Sequence, residues 1–160
     1  MDACGVNTLS VVRRCLLAVL AFGLAGTAVE LVLLEHYETA VQFVPLVSVA
    51  VAIGVLIWHR VKGDALSLRA LQGTMLLFLI AGIAGVGFHF RGAAEFQLEV
   101  DPSQSRWDIF KKAMRAKAPP VLAPGLMVQL GLVGLVYAYR HPALDASEFR
   151  SQSLSDGVMK

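Results

Sequence analysis

An all-α fold is what this sequence predicts: a four-helix transmembrane bundle with one short amphipathic helix lying in the interface between the third and fourth spans. Three observations carry that expectation. Apolar runs occupy residues 15–34, 41–58, 68–90 and 121–139. Each is about 18–23 residues long and, at ~1.5 Å rise per residue, crosses the ~30 Å hydrocarbon core of a bilayer. Hydrophobic residues make up 56% of the chain and charged ones 16%, against roughly a quarter charged in soluble domains. A helix apolar all round also needs lipid or a large core about it, and 160 residues cannot build that core four times over. Residues 1–142 therefore read as a single membrane domain, with no room for a second soluble one.

The first span begins after Arg13 and Arg14. Those charges, with the small-x-small pair Gly26 and Ala28, resemble a signal peptide. The apolar run continues through Val29 and Leu31–Leu34, longer than a signal h-region, so the segment reads as a retained helix. Cys4 and Cys15 stand eleven apart in no CxxC or zinc-ligand pattern, which argues against a disulfide frame or paired-thiol redox chemistry. Cys15 then serves as a small apolar residue entering a helix.

The turn 35–40 holds two acids and a histidine but no Lys or Arg, whereas the loop after span two holds His59, Arg60, Lys62 and, at its end, Arg69. Lys and Arg gather on the cytoplasmic side, which places both termini and the 60–69 loop inside. Arg13, Arg14, Arg60, Lys62, Arg69, Arg140, Arg150 and Lys160 are then inside, against Arg91, Arg106, Lys111, Lys112, Arg115 and Lys117 outside. A bacterial inner membrane is the simplest location for such a chain.

Within the third loop, Ser105-Arg-Trp-Asp108 has the spacing of a capping box, with Asp replacing the usual Glu. Trp107, Phe110 and Met114 follow along one helical face, Lys111, Lys112 and Arg115 fill the remainder, and Pro119-Pro120 ends the helix. A helix lying flat in the interface accounts for this, as a positioning float or by binding anionic lipid headgroups through Lys111, Lys112 and Arg115. The tail 143–160 is rich in Ser, Asp and Glu and is expected to be mobile.

Ionisable groups inside a span cost several kcal/mol, so they are where function is sought. Gly23-x-x-Gly26-x-x-x-Glu30 in span one matches Gly82-x-x-Gly85-x-x-x-His89 in span three, and span four carries Gly131-x-x-Gly134. Such stripes mark close helix approach. The expectation is that Glu30 and His89 point inward near the outer end and meet. Glu30 and His36, like His89 and Glu95, are six apart, a faint echo that is poor evidence of duplication.

Several roles compete for this cluster. His36 and His89 with Glu30, Glu35, Glu38 and Glu95 are candidate ligands for a transition metal ion, although the Glu-x-x-His spacing of helical carboxylate sites is missing. Glu30 and His89 also suit a proton relay in a coupled transport component, or a plain hydrogen bond that locks the bundle. Haem is a further candidate: His36 and His89 lie near one face and His59 and His141 near the other. Against it, span-end histidines more often meet headgroups or water. Trp58, Tyr137 and Tyr139 fall where an aromatic belt belongs, with Arg60 and Arg140 as anchors.

The chain carries no HExxH, GxSxG, Walker A or dinucleotide fingerprint, and nothing points to nucleic acid. The sequence thus reads as a small polytopic membrane protein, a non-catalytic accessory or scaffold subunit that meets the lipid bilayer and a membrane-protein partner or a second copy of itself. The runner-up is a metal- or haem-binding protein with its site at the outer end.

Overall fold

A computed structural model describes residues 3–35, 42–115 and 122–144, with side chains from residue 8 onward. Five helices follow in order: α1 (Ala3–Leu33), α2 (Phe43–Lys62), α3 (Ala65–Val100), α4 (Arg106–Met114) and α5 (Leu122–Ala138). There is no strand among the described residues. Three helices, α1 from Thr8, α2 and α3, are long and apolar enough to cross a membrane; α5 is apolar but only 17 residues long. His36, Glu38, Lys117, Pro119-Pro120 and most of the 143–160 tail lie outside the described residues.

α1, α2 and α3 overrun the expected spans into charged segments. α1 starts twelve residues before Cys15, and α3 continues ten residues beyond Phe90. The loop expected over 60–69 is not there: α2 runs to Lys62, and only Gly63 and Asp64 separate it from α3. Gly63 takes the left-handed conformation (φ 62°, ψ 16°) and donates its N–H to the His59 carbonyl. That is the glycine C-terminal cap, at a position where a side chain would add steric cost. Asp64 then caps α3, its Oδ1 accepting the Ser67 N–H at 2.8 Å.

Contacts divide the chain into two compact units, one formed by Met1–Leu77 with Leu130–Lys160 and the other by Phe78–Gln129. In the first unit α1 packs along α2. The buried positions recur at three- and four-residue steps: Leu20, Leu24, Thr27 and Leu31 on α1, Val49, Ala52, Leu56 and His59 on α2, and Leu68, Leu71 and Met75 on α3. This is the seam spacing of helices packed at a shallow angle. Gly23 lies against Leu130, and Gly134 against Met75 and Leu20.

In the second unit α3 and α5 approach more closely still. A Cβ placed on Gly82 would stand 2.7 Å from the Pro124 carbonyl oxygen and 2.7 Å from Val128 Cγ2, and one on Gly85 would stand 2.9 Å from Pro124 Cβ. Ser105 caps α4: its Oγ accepts the Asp108 N–H at 3.2 Å and donates to Asp108 Oδ2 at 2.6 Å. The carboxylate bonds the cap hydroxyl instead of the cap N–H, because Asp is one methylene shorter than the Glu of a full capping box. α4 turns Ile109 and Ala113 inward, leaving Trp107 65% and Phe110 41% exposed.

Candidate functional site

The described polar core of the first unit is centred on a residue that sequence reasoning placed at the interface. His59 is 3% exposed, and it occupies the last seam position of α2. Its Nδ1 lies 3.1 Å from Ser67 Oγ and its Nε2 2.8 Å from the Tyr137 hydroxyl. Ser67, itself fully buried, donates its single hydroxyl proton to the Asp64 carbonyl at 2.9 Å.

That donor count fixes every direction. Since the Ser67 proton goes to Asp64, Ser67 Oγ accepts from His59 Nδ1–H, and Nε2 accepts from the Tyr137 O–H. One continuous chain results: Tyr137 to His59 to Ser67 to the Asp64 carbonyl. It joins α5, α2 and the start of α3, and it uses the neutral Nδ1–H tautomer.

Tyr137 is therefore corrected from belt residue to buried partner, at 6% exposure. The belt reading suits its neighbours better: Tyr139 is exposed beneath the Arg140 guanidinium, 6.0 Å from the ring centroid, and Trp58 is 37% exposed. His141 completes the cluster, its ring 5.7 Å from that of His59 and 5.3 Å from that of Tyr137. Burial pushes the His141 pKa below the usual histidine value, with Arg13 and His59 adding repulsion. Hydrogen bonds from Ser67 pull the Asp64 carboxyl below the usual carboxylate range.

Arg13 reaches the same end, donating to the Arg140 carbonyl at 2.8 Å. Arg140, two residues beyond α5, takes a left-handed conformation (φ 47°).

Both nitrogens of His59 are engaged, so it does not fit an axial haem ligand. Glu30 and Glu35 of the first unit are exposed, as are His89 and Glu95 of the second. Glu35 takes a left-handed backbone (φ 51°) at the close of α1, and Glu95 Oε1 pairs with Arg91 Nε at 2.7 Å. No group of three or more His, Cys, Asp or Glu among the described residues is placed to hold a metal ion. Of the six packing glycines, Gly23, Gly82, Gly85 and Gly134 stand against neighbouring side chains or backbone, Gly131 is buried, and Gly26 faces open space. Cys15 is an exposed free thiol.

Sequence signals for the missed core do exist. Lys62-Gly-Asp-Ala-Leu-Ser67 carries a glycine stop followed by an aspartate cap. Val49, Ala52, Leu56 and His59 step by three and four, as do Met127, Leu130, Gly134 and Tyr137. No protein family, curated protein or solved structure matches the chain.

Proposed function

We propose that this chain is a small polytopic membrane protein acting as a non-catalytic accessory or scaffold subunit, with α5 as a fourth, short span of a helical bundle. One observation carries the reading. Among the described residues, the four buried polar ones, Thr27, His59, Ser67 and Thr74, all spend their hydrogen bonds within the chain. Thr27 and Thr74 donate to the carbonyls of Gly23 and Ala70 at 2.8 and 2.9 Å, and His59 and Ser67 belong to the chain of bonds described above. Polar atoms satisfied by their own helices hold a bundle together and leave no donor for a substrate.

The exposed surface supports the same reading. Phe22, Leu33, Ile80, Ile83 and Val136 are all more than half exposed, an outer layer suited to lipid or to a partner's helices, a second copy included. Arg13, Arg60 and Lys62 belong to the end that carries the His59 cluster, which favours a cytoplasmic location for that end and for both termini. The plasma membrane of a bacterium is the setting proposed.

Elemental mass spectrometry of the detergent-purified chain, beside the Glu30→Ala/His89→Ala variant, tests this reading. A scaffold carries no stoichiometric metal in either sample. Near-stoichiometric metal lost in the variant would replace it with a metal-binding protein.

A further inference from the structure

The far end of the second unit carries a surface that the scaffold reading does not use. α4 is held firmly against the last turns of α3. Ile109 and Ala113 are buried, the Phe90 and Phe110 rings meet at 5.9 Å, and Gln104 Nε2 donates to the Gln97 carbonyl at 3.0 Å. Two faces remain outward. One holds Trp107 and Phe110, stacked at 5.4 Å with 12° between their planes. The other borders an open groove of about 480 Å³ lined by Gln97, Asp108, Lys111, Lys112 and Arg115.

Charge and depth both bear on what fits there. Arg106 to Arg115 holds four cations and one acid. Asp108 neutralises Lys111 at 2.8 Å, while Lys112 and Arg115 form no ion pair among the described residues. Phe90 is the last apolar residue of its run before Arg91, so its contact with Phe110 sets the aromatic face level with the hydrocarbon boundary. Gln97 lies seven residues further on, about 10 Å at ~1.5 Å per residue. The headgroup layer is roughly 5–8 Å deep on each side. Lys and Arg side chains rooted just outside it extend back to phosphate depth.

We infer that the groove between the end of α3 and α4 seats the phosphate of an anionic phospholipid headgroup, with Trp107 and Phe110 entering the lipid interface beside it. Lys112 and Arg115 meet the phosphate, Lys111 shares its charge between Asp108 and the lipid, and the Gln97 amide donates to headgroup oxygens. A water-facing α4 would leave the stacked aromatic pair uncovered. An interfacial one places each face in its own medium.

Native mass spectrometry of the full-length chain in mild detergent tests the assignment, with phosphatidylglycerol or phosphatidylcholine added. The wild-type chain is expected to retain phosphatidylglycerol over phosphatidylcholine, with no displacement by millimolar inorganic phosphate. Lys111→Gln/Lys112→Gln/Arg115→Gln lowers that retention roughly tenfold or more, at about 1 kcal/mol per basic residue near an anionic surface. Arg60→Gln/Lys62→Gln/Arg69→Gln removes as many charges elsewhere and leaves the retention in place.

Equal retention by the wild type and the α4 variant, or equal loss in both triple variants, overturns the site. Displacement by inorganic phosphate overturns the lipid in favour of a free-anion site. In nanodiscs, Trp107 in a Trp58→Phe background is quenched by brominated acyl chains if the aromatic face is immersed. Unquenched fluorescence overturns the immersion.

Discussion

The Tyr137 hydroxyl and His59 Nε2, 78 residues apart in sequence, share a 2.8 Å hydrogen bond that ties α5 to α2. Its counterpart on the other ring nitrogen ties α2 to α3 through Ser67. A single imidazole thus holds three helices in register, because each of its nitrogens has a partner on a different one.

Tyr137→Phe removes the donor and leaves Nε2 buried and unsatisfied. The expected loss is about 1–3 kcal/mol of unfolding free energy, read as a lower unfolding midpoint in detergent titrations. Ser67→Ala costs a similar amount, because it leaves His59 Nδ1–H without its acceptor, while the backbone N–H keeps its bond to Asp64 Oδ1. Tyr137→Phe with His59→Leu tests the coupling: the pair should cost less than the sum of the two single variants.

Glycine substitutions separate by location. Gly82→Ala drives a methyl into the Pro124 carbonyl and Val128, and backbone cannot yield as a side chain can. A loss of about 1–3 kcal/mol is expected. Gly26→Ala meets nothing within 4 Å and is expected to be neutral, or to stabilise by a few tenths of a kcal/mol to ~1 kcal/mol through helix propensity. Thermal midpoints of the two variants side by side read the difference.

Acid weakens the cluster end. His141 has its pKa depressed, chiefly by burial, so the folded state favours the neutral ring. Its contribution is fully present above the ordinary histidine value of about 6.5 and is lost as pH falls through the lower folded value. Unfolding midpoints should therefore fall between pH 7.5 and 5, and His141→Gln should make that fall shallower. Asp64 acts further down: its stabilisation is present above its ordinary value of 3.8 and is lost as pH drops through the depressed folded value. An unchanged pH profile in His141→Gln would contradict this assignment.

At the α2–α3 link, Gly63→Ala places a side chain on a left-handed backbone and should cost about 1 kcal/mol. Asp64→Ala removes the α3 cap for about 0.5–2 kcal/mol. Both changes loosen the hairpin that presents His59 to Ser67, and hydrogen exchange at Ser67 and Leu68 reports it.

The helices were legible because length and apolarity are additive along the chain and need no knowledge of neighbours. The α2–α3 link was not. Arg60, Lys62 and Arg69 read as loop by charge, yet their long side chains extend outward from helices without breaking them. Glu30 shows what a stripe leaves open. Its glycine spacing defines a face, but the seam runs through Thr27 and Leu31, and Glu30 is one residue, about 100°, off it. His89 continues the α3 seam by spacing. Its side chain is nonetheless exposed, so spacing along α3 alone did not place it in the core. His59 and Tyr137 read as separate span-end residues because their significance is mutual, and neither position announces the other.

The proposal on which the rest depends is that α3 crosses a bilayer, so that Lys62, just before it, and Ser103, just after it, face opposite sides. Single cysteines at Lys62 and Ser103, in a Cys4→Ser/Cys15→Ala background, test it by labelling with a membrane-impermeant maleimide. The account predicts that Ser103→Cys is labelled in intact cells and Lys62→Cys only after permeabilisation. Labelling of both positions from the same side would contradict it.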